Sequence, residues 1–323
     1  MRPALYSTRI VLAFALILTF AARAGAAVEP RQIKTGVFTV EFWPGDEQIA
    51  RDSLETLQQT LSDFAQRLPG GGQPITVTIC RSVQEFRRRA GQYGRTWVGG
   101  VTRTPSGQIA VKAPYLLPQP GDYDGLLRHE LLHVLLARNV QDEFLPRWLN
   151  EGIVMVLSKE NRWGSMARLA RMYASGRLIP YYNLDFAFLP LGDEVLSGDA
   201  YAEALSLTRF LIDRLGEKGF WNVVRAMRQE PFETALLQAT GLKPGPFYNA
   251  WRDSMRVPAI IITAASAVSV FNIMAFIVIL AWVHKRRRNL AILQQWDEEE
   301  WAEAGWQNEY VSPEPWAEEQ EED

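Results

Sequence analysis

The chain has 323 residues, 47% hydrophobic and 22% charged, with a formal net charge of −3. That is globular composition with room for one large domain or two smaller ones. Residues 28–256 hold 27 Lys and Arg against 25 Asp and Glu, so no basic surface for nucleic acid is expected there. Cys80 is the only cysteine. An internal disulfide and a thiolate metal site are therefore excluded, and its neighbours Val77, Thr78 and Ile79 point to a buried strand thiol.

In chain order, Arg2 and Arg9 precede a short apolar run, and small residues follow up to Ala27. This layout predicts a secretory signal peptide over residues 1–27, cleaved after the Ala-rich stretch. Arg23 interrupts the run, which argues against an uncleaved anchor. Alternation predicts strands over 35–42 and 75–80, and shorter strands over 97–102 and 107–112. Between them, Ala50, Leu54, Leu57, Leu61, Phe64 and Leu68 recur at helical spacing and predict an amphipathic helix over 48–68. Ser82 followed by Glu85 predicts a capping box for a short helix ending at Ala90.

From there the pattern is helical: 123–137, with Asp122 or Asp124 as cap, then 146–157, 163–175, 201–215, 218–228, 232–239 and 244–256. Strands and helices first, then helices only, predict an α+β fold with an α-helical second half. Residues 258–283 carry no formal charge, and Lys285, Arg286, Arg287 and Arg288 follow. At about 1.5 Å per residue such a helix outreaches a hydrocarbon core of about 30 Å. The expectation is one transmembrane helix over 257–283, its basic flank on the cytoplasmic side. The remaining tail, 284–323, is acidic and punctuated by Trp296, Trp301, Trp306 and Trp316. It reads as a disordered cytoplasmic segment that could dock a partner. Together these segments place residues 28–256 outside the cytoplasm on a single-pass membrane protein.

The chemistry sits in His129-Glu130-Leu131-Leu132-His133. Residues four apart share a helix face, so both imidazoles can reach one ion, with Glu130 beside them. This is the motif of zinc peptidases. The chain holds only three histidines, and the third, His284, lies beside the basic cluster. A third ligand must then be an oxygen donor. Arg147-Trp148-Leu149-Asn150-Glu151-Gly152 supplies Glu151 on the next predicted helix, and Gly152 would allow that helix a close approach. Charges at Arg128, Arg138, Asp122 and Asp124 keep the motif helix too short in apolar length to lie inside a membrane.

His-Glu-x-x-His followed by Trp-Leu-Asn-Glu-Gly resembles the gluzincin clan of zinc metallopeptidases. The surrounding layout is similar to the smaller peptidase-MA-like domains. The resemblance implies a zincin-like fold, one Zn²⁺ on His129, His133 and Glu151, and Glu130 as catalytic base. It also implies peptide or protein substrates, and Tyr201 as a candidate to stabilise the oxyanion. Tyr181 and Tyr182 are weaker candidates. The Gly-x-Met-Glu-Asn segment with which aminopeptidases hold a free amino terminus is absent, which tilts the expectation to an endopeptidase. Asn150 is expected to bond nearby backbone, Trp148 to be core, and strand 107–112 to be an edge that pairs with substrate. The competing expectation is a catalytically silent peptidase-like sensor or peptide-binding module that signals through the acidic tail.

Overall fold

The computed structural model describes residues 29–93, 97–118, 123–160, 162–189 and 194–308. The expected signal peptide, the Asp122 cap and the end of the acidic tail lie outside these residues. The described chain is α+β, with one five-stranded sheet and ten helices.

The strands are β1 (Arg31–Thr35), β2 (Phe38–Phe42), β3 (Ile75–Cys80), β4 (Gly100–Arg103) and β5 (Gln108–Lys112), in the order β1-β2-β3-β5-β4. β1 and β2 form an antiparallel hairpin, β2, β3 and β5 run parallel, and β4 returns antiparallel along β5. Helix α1 (Glu47–Phe64) links β2 to the parallel β3, and α2 (Val83–Ala90) follows β3. The Ser82 hydroxyl accepts from the Glu85 amide at 3.1 Å, which is the expected cap. The Glu85 carboxylate, however, reaches the Arg81 amide instead of closing the box on Ser82.

Period-two alternation sorts the sheet's faces. Ile109 and Val111 of β5 join the main core, whereas Ala110 packs with Cys80, Phe86 and Ala90 on the opposite face. Cys80 is thus a buried strand thiol, its pKa pushed up to about 12 by that burial. Strand β5 is buried on both faces from Ile109 to Lys112, the signature of a central strand. The expectation of an edge at 107–112 is therefore corrected: β4 is the edge strand on that side of the sheet. Its register pairs Gly100 with Val111 and Thr102 with Ile109, so Gly100 and Thr102 share the main-core face.

Against that face lies α3 (Tyr123–Ala137), the motif helix, which is buried nearly all round. Its C-terminal end is tied down by side chains. Asn139 donates to Leu135 O and Pro69 O, and Arg138 reaches Gly70 O, Gln73 O and Pro74 O. A short connection through Asp142–Phe144 leads to α4 (Arg147–Leu157), whose first turn is capped by the Asp185 carboxylate accepting from the Trp148 amide. Helices α5 (Arg162–Ala174), α6 (Tyr181–Leu184), α7 (Glu194–Ala226), α8 (Phe232–Thr240) and α9 (Pro244–Ser254) complete the helical half. The two helices expected at 201–215 and 218–228 are one element broken at Gly216, whose φ of 66° only glycine takes at little cost. Trp148 is core, as expected, packed edge-on against Phe232.

The chain divides into two compact units after Ile260. The second contains most of α10 (Arg256–Asn308). Among the described residues no helix is long and apolar enough to cross a membrane. The expected transmembrane stretch includes 266–270, whose side chains lie outside the described residues. The helix runs on to Asn308, so the acidic segment expected as irregular chain begins as helix. Its Ala, Leu, Gln and Glu content favours that state.

Gly152 is where α4 meets α7. A Cβ there would stand 2.0 Å from Thr208 Oγ1 and 2.6 Å from Ala204 O. The close approach anticipated at this glycine is thus to α7. Gly152→Ala should cost about 1–3 kcal/mol by overpacking, read as a lowered Tm of the full chain.

Candidate metal centre

Helix α3 places His129 and His133 one turn apart, their Nε2 atoms 2.9 Å from each other. Helix α4 brings Glu151 Oε2 to 3.5 Å from each Nε2. The structure thus gathers all three expected ligands at one point. Each ring is held by its far nitrogen. His129 Nδ1 meets Glu160 Oε1 at 2.5 Å, and His133 Nδ1 meets Asn150 Oδ1 at 2.8 Å. A carboxylate or amide oxygen only accepts, so each Nδ1 carries the proton.

A neutral ring protonated at Nδ1 presents a bare lone pair at Nε2. Two such lone pairs then face each other and Glu151 Oε2, a buried atom with no hydrogen-bond partner. Three acceptors around one point, without a donor among them, are unfavourable unless something positive sits there. Atoms about 2.0–2.2 Å from one tetrahedral ion stand about 3.3–3.6 Å apart; both histidine–Glu151 edges, at 3.5 Å, fall in that range, and the histidine–histidine edge, at 2.9 Å, is shorter. The cluster could hold a metal ion.

The electrostatics show what positive charge does here. Burial pushes the His129 pKa down, but the nearby carboxylates of Glu151 and Glu160, the latter hydrogen-bonded to Nδ1, outweigh it and hold the imidazole well above its usual range. Burial also opposes protonation of His133, and Glu151 again outweighs it. Burial would raise Glu151, yet the two imidazolium groups hold it far below the usual carboxylate range. Protons and a metal ion therefore compete for the same three atoms.

Glu130 is buried, and its Oε2 accepts from the Thr102 hydroxyl at 2.5 Å. Tyr201, on α7, stacks edge-on against Phe188 with ring centroids 5.1 Å apart. The negative charge of Glu151, aided by burial and by Glu130 and Glu160, keeps its hydroxyl protonated well above the usual tyrosine range. Of the three tyrosines considered, this one lies in the field of the cluster's carboxylates. Tyr182 points to solvent, and Tyr181 packs against Tyr248.

The roles of three neighbours escaped the sequence. The Asn150 side-chain oxygen orients His133. Glu160 was not singled out, because its position depends on the end of α4. There Lys159 adopts φ 60°, the one positive φ among described non-glycine residues, and the Glu160 amide donates back to Met155 O at 3.2 Å. This is a Schellman-type turn with lysine where glycine is usual. Without glycine nothing in the sequence marked the turn that swings Glu160 back to His129. Thr102 was likewise invisible until the strand register was known.

The chain matches no protein-family model, and no characterised protein matches it.

Two outcomes follow from this geometry. Glu160→Ala should weaken metal binding about 10–100-fold, the usual loss when a partner of a ligating histidine is removed, measured by chelator competition. In the metal-free chain, the raised histidine pKa values add stability in full below about pH 6.5, the unfolded value. That stability is lost as pH climbs through the folded values. Thermal melts without metal should therefore fall over this interval, while metal affinity rises as protons cease to compete.

Proposed function

We propose that this chain is a membrane-tethered, extracytoplasmic zinc peptidase of gluzincin type, and an endopeptidase. The observation that carries the reading is the triangle of two imidazole nitrogens and one carboxylate oxygen, with a buried carboxylate, Glu130, on the helix that carries both histidines. Two imidazoles and one carboxylate, with no fourth protein ligand in the cluster among the described residues, suit a catalytic rather than a structural zinc set. Bound there, zinc would supply Lewis acidity, lowering the pKa of water toward about 7 and polarising a carbonyl.

The remaining chemistry belongs to side chains of this protein. Glu130 accepts the proton of the attacking water and returns it to the leaving amine. Tyr201, held protonated, donates to the oxyanion that develops at the scissile carbonyl. Glu160 and Asn150 fix both imidazoles in the tautomer that leaves Nε2 bare. The outer side of β4 offers unpaired backbone groups to an extended peptide, the usual mode of strand addition. Attachment to the membrane rests on the uncharged residues 258–283 and the basic block after them. Exposed Ile260, Phe271, Ile273, Phe276 and Ile279 suit apolar surroundings.

The test uses the zinc-loaded full chain and a quenched-fluorescent peptide library. Glu130→Gln should retain zinc, assayed by elemental analysis, and lose about 10²–10⁴-fold in turnover, the worth of a general base. Undiminished hydrolysis would refute the assignment. Tyr201→Phe should lower kcat about 10²-fold with little change in KM, as for removal of one oxyanion donor.

A further inference from the structure

The Glu130 carboxylate does not swing freely beside the metal cluster. Its Oε2 accepts a hydrogen bond from the Thr102 hydroxyl at 2.5 Å, while a Cβ on Gly100 would stand 2.5 Å from Oε1 and 2.7 Å from Cγ. The acid therefore lies flat against a bare stretch of strand and is pinned at one oxygen. Both contacts come from one face of β4, whose register to β5 is locked by the backbone ladder at Gly100–Val111 and Thr102–Ile109.

We propose that Gly100 and Thr102 form a seat that positions Glu130 for proton transfer. The inference rests on the zinc-peptidase reading above and adds positioning residues to it. Three physical points support it. A free glutamate loses rotamer freedom when it is ordered; the seat orders it in advance of the reaction. A hydroxyl donating to a carboxylate makes a short, charge-assisted bond, and threonine's branched Cβ keeps that hydroxyl in place. With Oε2 occupied, Oε1 is left as the proton acceptor. Thr102 Oγ1 also lies 3.1 Å from Glu130 O, so helix backbone and side chain share one anchor point. Because β4 is an edge strand, a peptide that pairs with its outer side is put in register with the base by the same strand that carries Gly100 and Thr102. Thr102 is a positioning residue here: it touches Glu130 and not the reacting atoms.

A merely structural tether between β4 and α3 would affect stability and leave chemistry alone, and the test separates the two. In the zinc-loaded full chain with the peptide library, Thr102→Val should lower kcat about 10–100-fold, with KM nearly unchanged and zinc content intact. Thr102→Ser, which keeps the hydroxyl, should restore most of it. In the Glu130→Gln background, Thr102→Val should add almost no further loss, because the hydroxyl acts only through that carboxylate. A second readout needs no turnover. Acetohydroxamate, titrated into the cobalt-loaded full chain and followed by visible absorption, should bind about tenfold or more weakly in Thr102→Val and normally in Thr102→Ser, the scale of loss for an outer partner. Equal kcat in Thr102→Val and the parent, alongside an inactive Glu130→Gln, would overturn the seat and leave the base standing. Hydroxamate affinity unaltered by Thr102→Val would overturn it too, even if no peptide were cut. An active Glu130→Gln would instead remove the base assignment itself.

Discussion

Three lone pairs aimed at one point are the constraint around which this fold is organised. Two imidazole nitrogens 2.9 Å apart and a carboxylate oxygen 3.5 Å from each cannot be buried together cheaply. Positive charge at that point, a proton or a metal ion, is what offsets the cost, and each donor is braced from behind. Glu160 braces His129, Asn150 braces His133, and α4, capped by Asp185, delivers Glu151. Such bracing fixes ring tautomers, which sequence spacing alone cannot do.

The scaffold supplies this bracing through a few close contacts. Helix α3 is buried between the sheet and α4, so neither imidazole can rotate out to water. Helix α4 sits tight on α7 because Gly152 leaves room for Thr208 and Ala204. The same helix α7 carries Tyr201 to the carboxylates. It is anchored nearby by Glu203, whose side chain accepts from the Ile179 amide at 2.7 Å. Burial raises that carboxyl to about 8, so at neutral pH it is mostly a neutral hydrogen-bonding group. A strand, three helices and one turn thus meet at a site whose parts come from positions 100 to 201.

Much of this was legible along the chain. The His129 and His133 pair followed from helical period, and Glu151 from the need for an oxygen donor on the following helix. The strand at 75–80, the motif helix and the helical second half all carried strong periodicity. The short pieces were harder. Strand β4 has only four residues, and its place at the edge depends on pairing with β5, a partner that local pattern does not name. A continuous apolar run such as 109–111 fits either an interior or an edge strand until both its neighbours are known. Helix α10 extended past its apolar part because charged residues with good helical propensity look like coil when judged by hydropathy alone.

What the order of residues decided is local: periodicity set both histidines on one helix face, composition removed thiolates from the ligand set, and a glycine marked the tight helix contact. What tertiary structure alone decided is the environment of each group. Lys159 in a left-handed turn returned Glu160 to the site, and sheet register put Gly100 and Thr102 beneath Glu130. The physical reason is range. Helix and strand periods act over a few residues, whereas hydrogen bonds such as Thr102–Glu130 and His129–Glu160 join positions about thirty residues apart, and only the folded chain brings them within reach.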